Sequence, residues 1–139
     1  MQASTYLHFN GNCKEAMTFY ADVLGGEITM LLPFREAPEE LCKNLPKEAL
    51  DLTMHSTLVA GDITIQASDF FNEKETFNSG NNFAVSISAD DEEQAVAIFN
   101  GLSDGASVMM PFEKVFWGGK FGMLKDRYGV SWMISLDET

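Results

Sequence analysis

One feature limits the possible folds more than any other: the chain repeats itself. Residues 24–34 read LGGEITMLLPF and residues 102–112 read LSDGASVMMPF. Leu24 matches Leu102 and Pro33 matches Pro111 at one constant offset of 78 residues (102 − 24 and 111 − 33). Self-similarity at a fixed spacing means that one supersecondary unit is used twice. Each copy follows a helical pattern and precedes an irregular stretch, so the flanking elements repeat as well.

In the first half, Tyr6 to Phe9 is strand-like. Asn12 to Leu24 then places Ala16, Met17, Phe19, Tyr20, Val23 and Leu24 at helical spacing. Asn12 is the expected N-cap, with Glu15 three residues on in a capping box. Gly25-Gly26 ends the helix as a C-cap should. Glu27 to Phe34 is a strand, and Leu52 to Val59 with Ile63 to Ala67 forms a hairpin across Ala60-Gly61-Asp62. The second half follows the same order. Phe83 to Ser88 alternates as a strand, Asp91 to Leu102 is a helix, and strands follow at Ser107 to Pro111, Gly122 to Lys125 and Val130 to Leu136. The last two are joined by the turn Asp126-Arg127-Tyr128-Gly129.

The predicted fold class is therefore α+β: two βαβββ modules, residues about 5–68 and 82–137, together making one domain over 1–139. A module of this size cannot bury both faces of a four-stranded sheet. Helices are expected outside, with two curled mixed sheets facing a common cup. Asn72 to Gly80, rich in Asn, Glu, Ser and Gly, is the expected inter-module connection. Residues 35–51 are an insertion near the mouth, expected to be part helical.

Charge narrows the partners. Twenty-one Asp and Glu against nine Lys and Arg give a net charge of −12, which repels phosphate backbones and anionic lipid. Neither nucleic acid nor a membrane is an expected partner. No stretch approaches transmembrane length, and Met1-Gln2-Ala3-Ser4-Thr5 lacks the basic and apolar regions of a signal peptide. Cys13 and Cys42, outside any C-x-x-C spacing, are expected to be reduced thiols. A cytoplasmic location follows from these expectations.

The segments YLHFNGNCKEAMTFY (6–20), LGGE (24–27), Ser68-Asp69, FWGGKFGMLKDRYGV (116–130) and SWMI (131–134) resemble the vicinal-oxygen-chelate superfamily. That superfamily includes glyoxalases, bleomycin-resistance proteins and extradiol dioxygenases, and the resemblance is to its PhnB-like branch. It implies a glyoxalase-like fold. It also implies a divalent metal held at four inward strand positions, two on the modules' first strands and two on their last. Matched by motif, these are Thr5, Asn82, Gln66 and Met133. A firm divalent site needs converging imidazoles or carboxylates. These four residues and their immediate neighbours supply none, so neither metal nor cofactor is expected. His8, three residues past Thr5, is expected on the opposite face. His55 with Asp69 at the rim is the alternative ligand set. Some PhnB-like sequences are labelled demethylubiquinone methyltransferases, but no Gly-rich loop of the nucleotide-binding kind follows the first strand.

Alternation places Thr5, Leu7, Phe9, Asn82, Ala84, Ser86, Thr64, Gln66, Ser131 and Met133 inward, with His55, Phe121 and Met123. Neutral polar groups in an apolar, aromatic concavity suit a small organic ligand; they equally suit a filled core. Phe116-Trp117-Gly118-Gly119-Lys120-Phe121 is a candidate lid or dimer contact, and Lys120 and Arg35 are candidate cations for an anionic ligand. No catalytic residue is assigned, and whether the chain is an enzyme stays open. The candidate ligand contacts are Thr5, Leu7, Phe9, His55, Gln66, Asn82, Trp117, Phe121 and Met133. Three functions remain: metal-free binding of a small organic molecule; a metal-dependent lyase, isomerase or dioxygenase; and a structural or regulatory homodimer. A homodimer is expected in each case.

Overall fold

A computed structural model describes residues 1–71 and 76–138; the first four residues of the Asn72–Gly80 connection lie outside these. The chain divides into two compact units, one through Phe77 and one from Asn78. Unit one runs β1 (Thr5–Phe9), α1 (Cys13–Leu24), β2 (Glu27–Pro33), α2 (Glu39–Cys42), β3 (Thr53–Ala60) and β4 (Ile63–Asp69). Single helical turns at Phe34–Glu36 and Lys47–Ala49 flank α2, so the insertion is part helical. Unit two runs β5 (Val85–Ser88), α3 (Glu92–Ser103), β6 (Ser107–Lys114), β7 (Lys120–Lys125) and β8 (Ser131–Leu136).

The repeat seen in the sequence is a repeat of topology. The sheets are ordered β1-β4-β3-β2 and β5-β8-β7-β6. In each, the first and last strands pair in parallel, Thr5 with Ile65 and Val85 with Trp132, and the remaining neighbours are antiparallel. The fold is α+β, built from two four-stranded mixed sheets.

Each sheet is apolar on the face its helix covers. In unit one, Cys13, Ala16, Met17 and Tyr20 of α1 are buried with Phe9, Leu58, Ile65 and Ala67. In unit two, Ala95, Ile98, Phe99 and Leu102 of α3 are buried with Ile87, Leu124, Trp132 and Ile134. Gly122 in β7 has a packing reason: a Cβ there would lie 2.7 Å from Phe99 Cε2. Helix α1 ends as its glycines predict, with Gly25 left-handed at φ 68° and the Gly26 amide donating to Ala21 O at 2.8 Å. Its start differs from expectation. Asn12 makes no side-chain cap. The carboxylate of Asp69, at the end of β4, accepts from the Gly11 and Cys13 amides instead, each at 2.9 Å. The side-chain cap is at α3, where Asp91 accepts from the Gln94 amide at 2.8 Å and Gln94 accepts from the Asp90 amide at 2.7 Å.

Both cysteines are free, and Cys13 is fully buried. Burial, seconded by the Asp69 carboxylate and opposed by the Ser56 hydroxyl, pushes its thiol from an ordinary 9.0 up to about 11. Cys13 is therefore expected to resist a disulfide reagent such as DTNB at pH 8 until urea unfolds the chain. The unfolded thiol releases its proton at lower pH than the native one. Cys13 therefore contributes its full stabilisation below pH 9 and loses it as the pH rises through about 11, at no more than about 1.4 kcal/mol per pH unit. In urea titrations from pH 8 to 11, the stability gap between the natural chain and Cys13→Ala should narrow across that window; a constant gap would show the thiol is not shifted.

Candidate ligand-binding face

Strand alternation and burial fix which residues each sheet leaves uncovered by its helix. Phe9 is 1% exposed, and its ring lies 6.3 Å from that of Tyr20 in α1. Phe9, Leu7 and Thr5 therefore share the helix-covered face, contrary to the inward placement expected of them. The reason is physical: Leu7 and Phe9 are the apolar parity of β1, and that parity enters the core. The uncovered residues of β1 are Tyr6 and His8, so His8 stands on the face from which sequence reasoning removed it.

The register then builds the face row by row. Tyr6 pairs with Gln66, Gln66 with Thr57, and Thr57 with Met30. In the next row His8 pairs with Ser68 and His55 pairs with Leu32. The Tyr6 hydroxyl lies 3.3 Å from His55 Nδ1, and the Thr57 hydroxyl lies 3.4 Å from His55 Nε2. The imidazole thus bridges a phenol and an alcohol, with one ring nitrogen donating and the other accepting in its neutral form. The Tyr6 ring stands 5.1 Å from that of His8 and 5.8 Å from that of His55. Both histidines of the chain flank one tyrosine. Tyr6, Thr57, Met30 and Leu32 are members of this face that sequence reasoning did not single out. The Tyr-x-His alternation in β1 was the available signal.

Unit two presents a plainer surface. Gly122 and Leu124 are on the covered side of β7, leaving Phe121 and Met123 uncovered, and Met123 pairs with Met133. Met133 pairs in turn with Ser86. Asn82 is exposed and precedes β5, so the uncovered first-strand positions here are Ser86 and Ser88, with Ala84 also outside the strand. Trp117 packs edge-on to Phe121 at 5.9 Å and to Phe116 at 4.9 Å, and is 60% exposed.

The candidate cations and the candidate rim acid are already engaged. Lys120 pairs with Glu92, and Arg35 pairs with Asp51 at 2.8 Å. Asp69 is buried, with Oδ1 taken by the Gly11 and Cys13 amides and Oδ2 by the Thr53 amide at 2.9 Å. It is a structural acceptor, not a partner for His55.

The corrected register moves the superfamily's metal positions to Tyr6 and Gln66 in unit one and to Ser86 and Met133 in unit two. Neither the phenol and amide of unit one nor the alcohol and thioether of unit two make a firm divalent site. Among the described residues, no group of three or more His, Cys, Asp or Glu side chains could hold a metal ion. This donor set does not fit the metal that the superfamily implies.

Two βαβββ units, each with its first and last strands paired in parallel, define the glyoxalase/bleomycin-resistance/dioxygenase fold. The same fold is seen in a glyoxylase/bleomycin resistance protein/dioxygenase domain from Frankia sp. EAN1pec, with a TM-score of 0.67, 11% identity, and 99% of this chain and 98% of that one covered. Within that class, the chain belongs to the PhnB-like family described as 3-demethylubiquinone-9 3-methyltransferase, whose model matches residues 1–135. It is similar to the crystal structure of protein PA1353 from Pseudomonas aeruginosa, with a TM-score of 0.87, 36% identity, and 100% and 99% of the two chains covered. It is also similar to a PhnB protein from Bacillus cereus, with a TM-score of 0.76, 26% identity, and 98% and 99% covered. Protein YjdN of Escherichia coli K12 is 28% identical over 142 residues, covering 98% of this chain and 95% of that protein.

Proposed function

We propose that this chain binds a small organic molecule on its helix-free sheet surfaces without a metal, and does so as a cytosolic homodimer. The observation carrying this is the cluster of Tyr6, His8, His55, Thr57 and Gln66. It is two rows of hydrogen-bonding groups and flat rings on one uncovered sheet face, with the apolar Met30 and Leu32 alongside. Such a mixture suits a ligand with an apolar body and a few polar atoms. Phe121, Met123, Met133 and Trp117 give unit two an aromatic and thioether surface of the same character.

The activity in the family's description finds no support in these residues. A methyl donor of the nucleoside type is ordinarily held by a glycine-rich turn opening onto a helix N-terminus. Here the amides of Gly11 and Cys13 at the start of α1 are taken by Asp69. The pairing of two histidines around Tyr6 is the one observation favouring a second reading, a metal-dependent enzyme using other ligands than the superfamily's.

The test is metal analysis of tag-free protein by mass spectrometry, with thermal melts in Zn, Ni, Mn and Fe(II) and against a panel of small aromatic compounds. The expected result is no stoichiometric metal and no metal-induced shift, with organic ligands raising the melting temperature equally in the presence of EDTA. A ligand at 100 times its Kd adds about 2.7 kcal/mol, a shift of several degrees for a chain of this size. One tightly held metal per chain, with turnover that follows it, overturns the proposal in favour of the second reading. Among the described residues no helix is long and apolar enough to cross a membrane.

A further inference from the structure

We infer that the uncovered face of the first sheet selects a planar aromatic anion, a phenolate, enolate or carboxylate; this rests on the ligand-binding reading above. The chain carries 21 acidic residues against nine Lys and Arg, yet the two rows around Tyr6 contain no carboxylate. Their members are Tyr6, Gln66, Thr57 and Met30, then His8, Ser68, His55 and Leu32. Glu27 is the one acid in register with this face. It lies opposite Val59 at the start of β2, beyond the Met30 row and away from the histidines. A cationic ligand would find no counter-charge beside the rings.

Every polar side chain there can donate to an acceptor. Tyr6, Thr57, Gln66 and both imidazoles each carry at least one N–H or O–H. A neutral hydrocarbon covering them would leave the Gln66 amide and the His8 ring without acceptors. The Tyr6 hydroxyl, free to donate when His55 Nδ1 donates to its oxygen, would serve an anionic oxygen, and hydrogen bonds to a charged acceptor are roughly twice as strong as neutral ones. Tyr6, 41% exposed and flanked by two tilted imidazoles, offers the ring surface against which the ligand's own ring would lie. The net charge of −12 repels anions at long range, so selection of an anion has to come from this local set of donors.

The test uses two fluorescent probes of nearly the same shape, 1-anilinonaphthalene-8-sulfonate and the uncharged N-phenyl-1-naphthylamine, titrated at pH 7 into the full chain. The anion is expected to bind about tenfold more tightly than the neutral probe. Tyr6→Phe and His55→Gln should each reduce that ratio several-fold, and the double variant should bring it near one. Circular dichroism and urea unfolding should show that both variants remain folded. Equal binding of the two probes overturns anion selection and leaves the ligand-binding reading standing. A preference that survives both substitutions overturns it as well. Failure of both probes to bind overturns the two readings together.

Discussion

Asp69→Ala is expected to destabilise the first unit by about 3 kcal/mol or more, the largest effect of any single polar substitution there. The carboxylate is 5% exposed and accepts three backbone amides, from Gly11, Cys13 and Thr53, each at 2.9 Å. Removing it leaves three donors unmatched, each costing about 1–3 kcal/mol when desolvated. It also removes a negative charge from the start of α1, where the helix dipole favours one. Asp69→Asn keeps the shape, cannot accept at both ends, and should fall between the natural chain and the alanine variant. Urea unfolding followed by circular dichroism measures the difference. A loss below about 1 kcal/mol would mean that these amides find water or other acceptors, and would return Asp69 to the list of rim residues.

Gly119→Ala is the corresponding test in the second unit, with an expected cost of about 3 kcal/mol. Gly119 has φ +73°, and an added Cβ would lie 2.1 Å from the carbonyl oxygen of Leu136, a backbone atom that cannot step aside. The substitution should open the turn closed by the Val115 amide donating to Gly119 O at 3.1 Å. Hydrogen exchange at Val115 is expected to accelerate sharply, and the edge-on packing of Trp117 on Phe121 should loosen. Gly61→Ala is the control. Its φ is +58°, nothing lies within 4 Å of the added atom, and the cost should be only the left-handed strain of about 1 kcal/mol. Equal losses at the two positions would show that φ alone matters and that the contact with Leu136 does not.

The fold was legible because it is written twice. The constant offset, the glycines after Leu24 and the apolar spacing of Ala95, Val96, Ile98, Phe99 and Leu102 all report local physics, and the observed helices and strands follow them, although Val96 lies off the buried face and is exposed. Register within β1 was not legible in the same way. In Thr-Tyr-Leu-His-Phe both parities contain a large ring, so alternation alone cannot say which enters the core. Comparison with β5, where Val85 and Ile87 are the helix-covered pair and Ser86 and Ser88 the uncovered one, resolves it in favour of Leu7 and Phe9 as the covered parity. The cap of α1 was hidden for a different reason. Asn12 has the right chemistry and spacing, but the acceptor that wins is Asp69, more than fifty residues on in the chain. Trp132 likewise finds its indole partner in Asp126 at 2.8 Å, inside a turn whose shape was evident and whose buried carboxylate was not. Contacts between distant residues leave no periodic trace.

The strand order has a consequence for how the chain is born. In both sheets the last strand synthesised, β4 or β8, is inserted between the first strand and the rest. As each half leaves the ribosome, β1 or β5 therefore has no hydrogen-bonding neighbour until its module is complete; Thr5 must wait for Ile65. The helix and the outer strands form earlier from nearer contacts, and closure over the long intervening loop comes last. Each βαβββ module can thus be complete only once its last strand is present to give both of its neighbours partners.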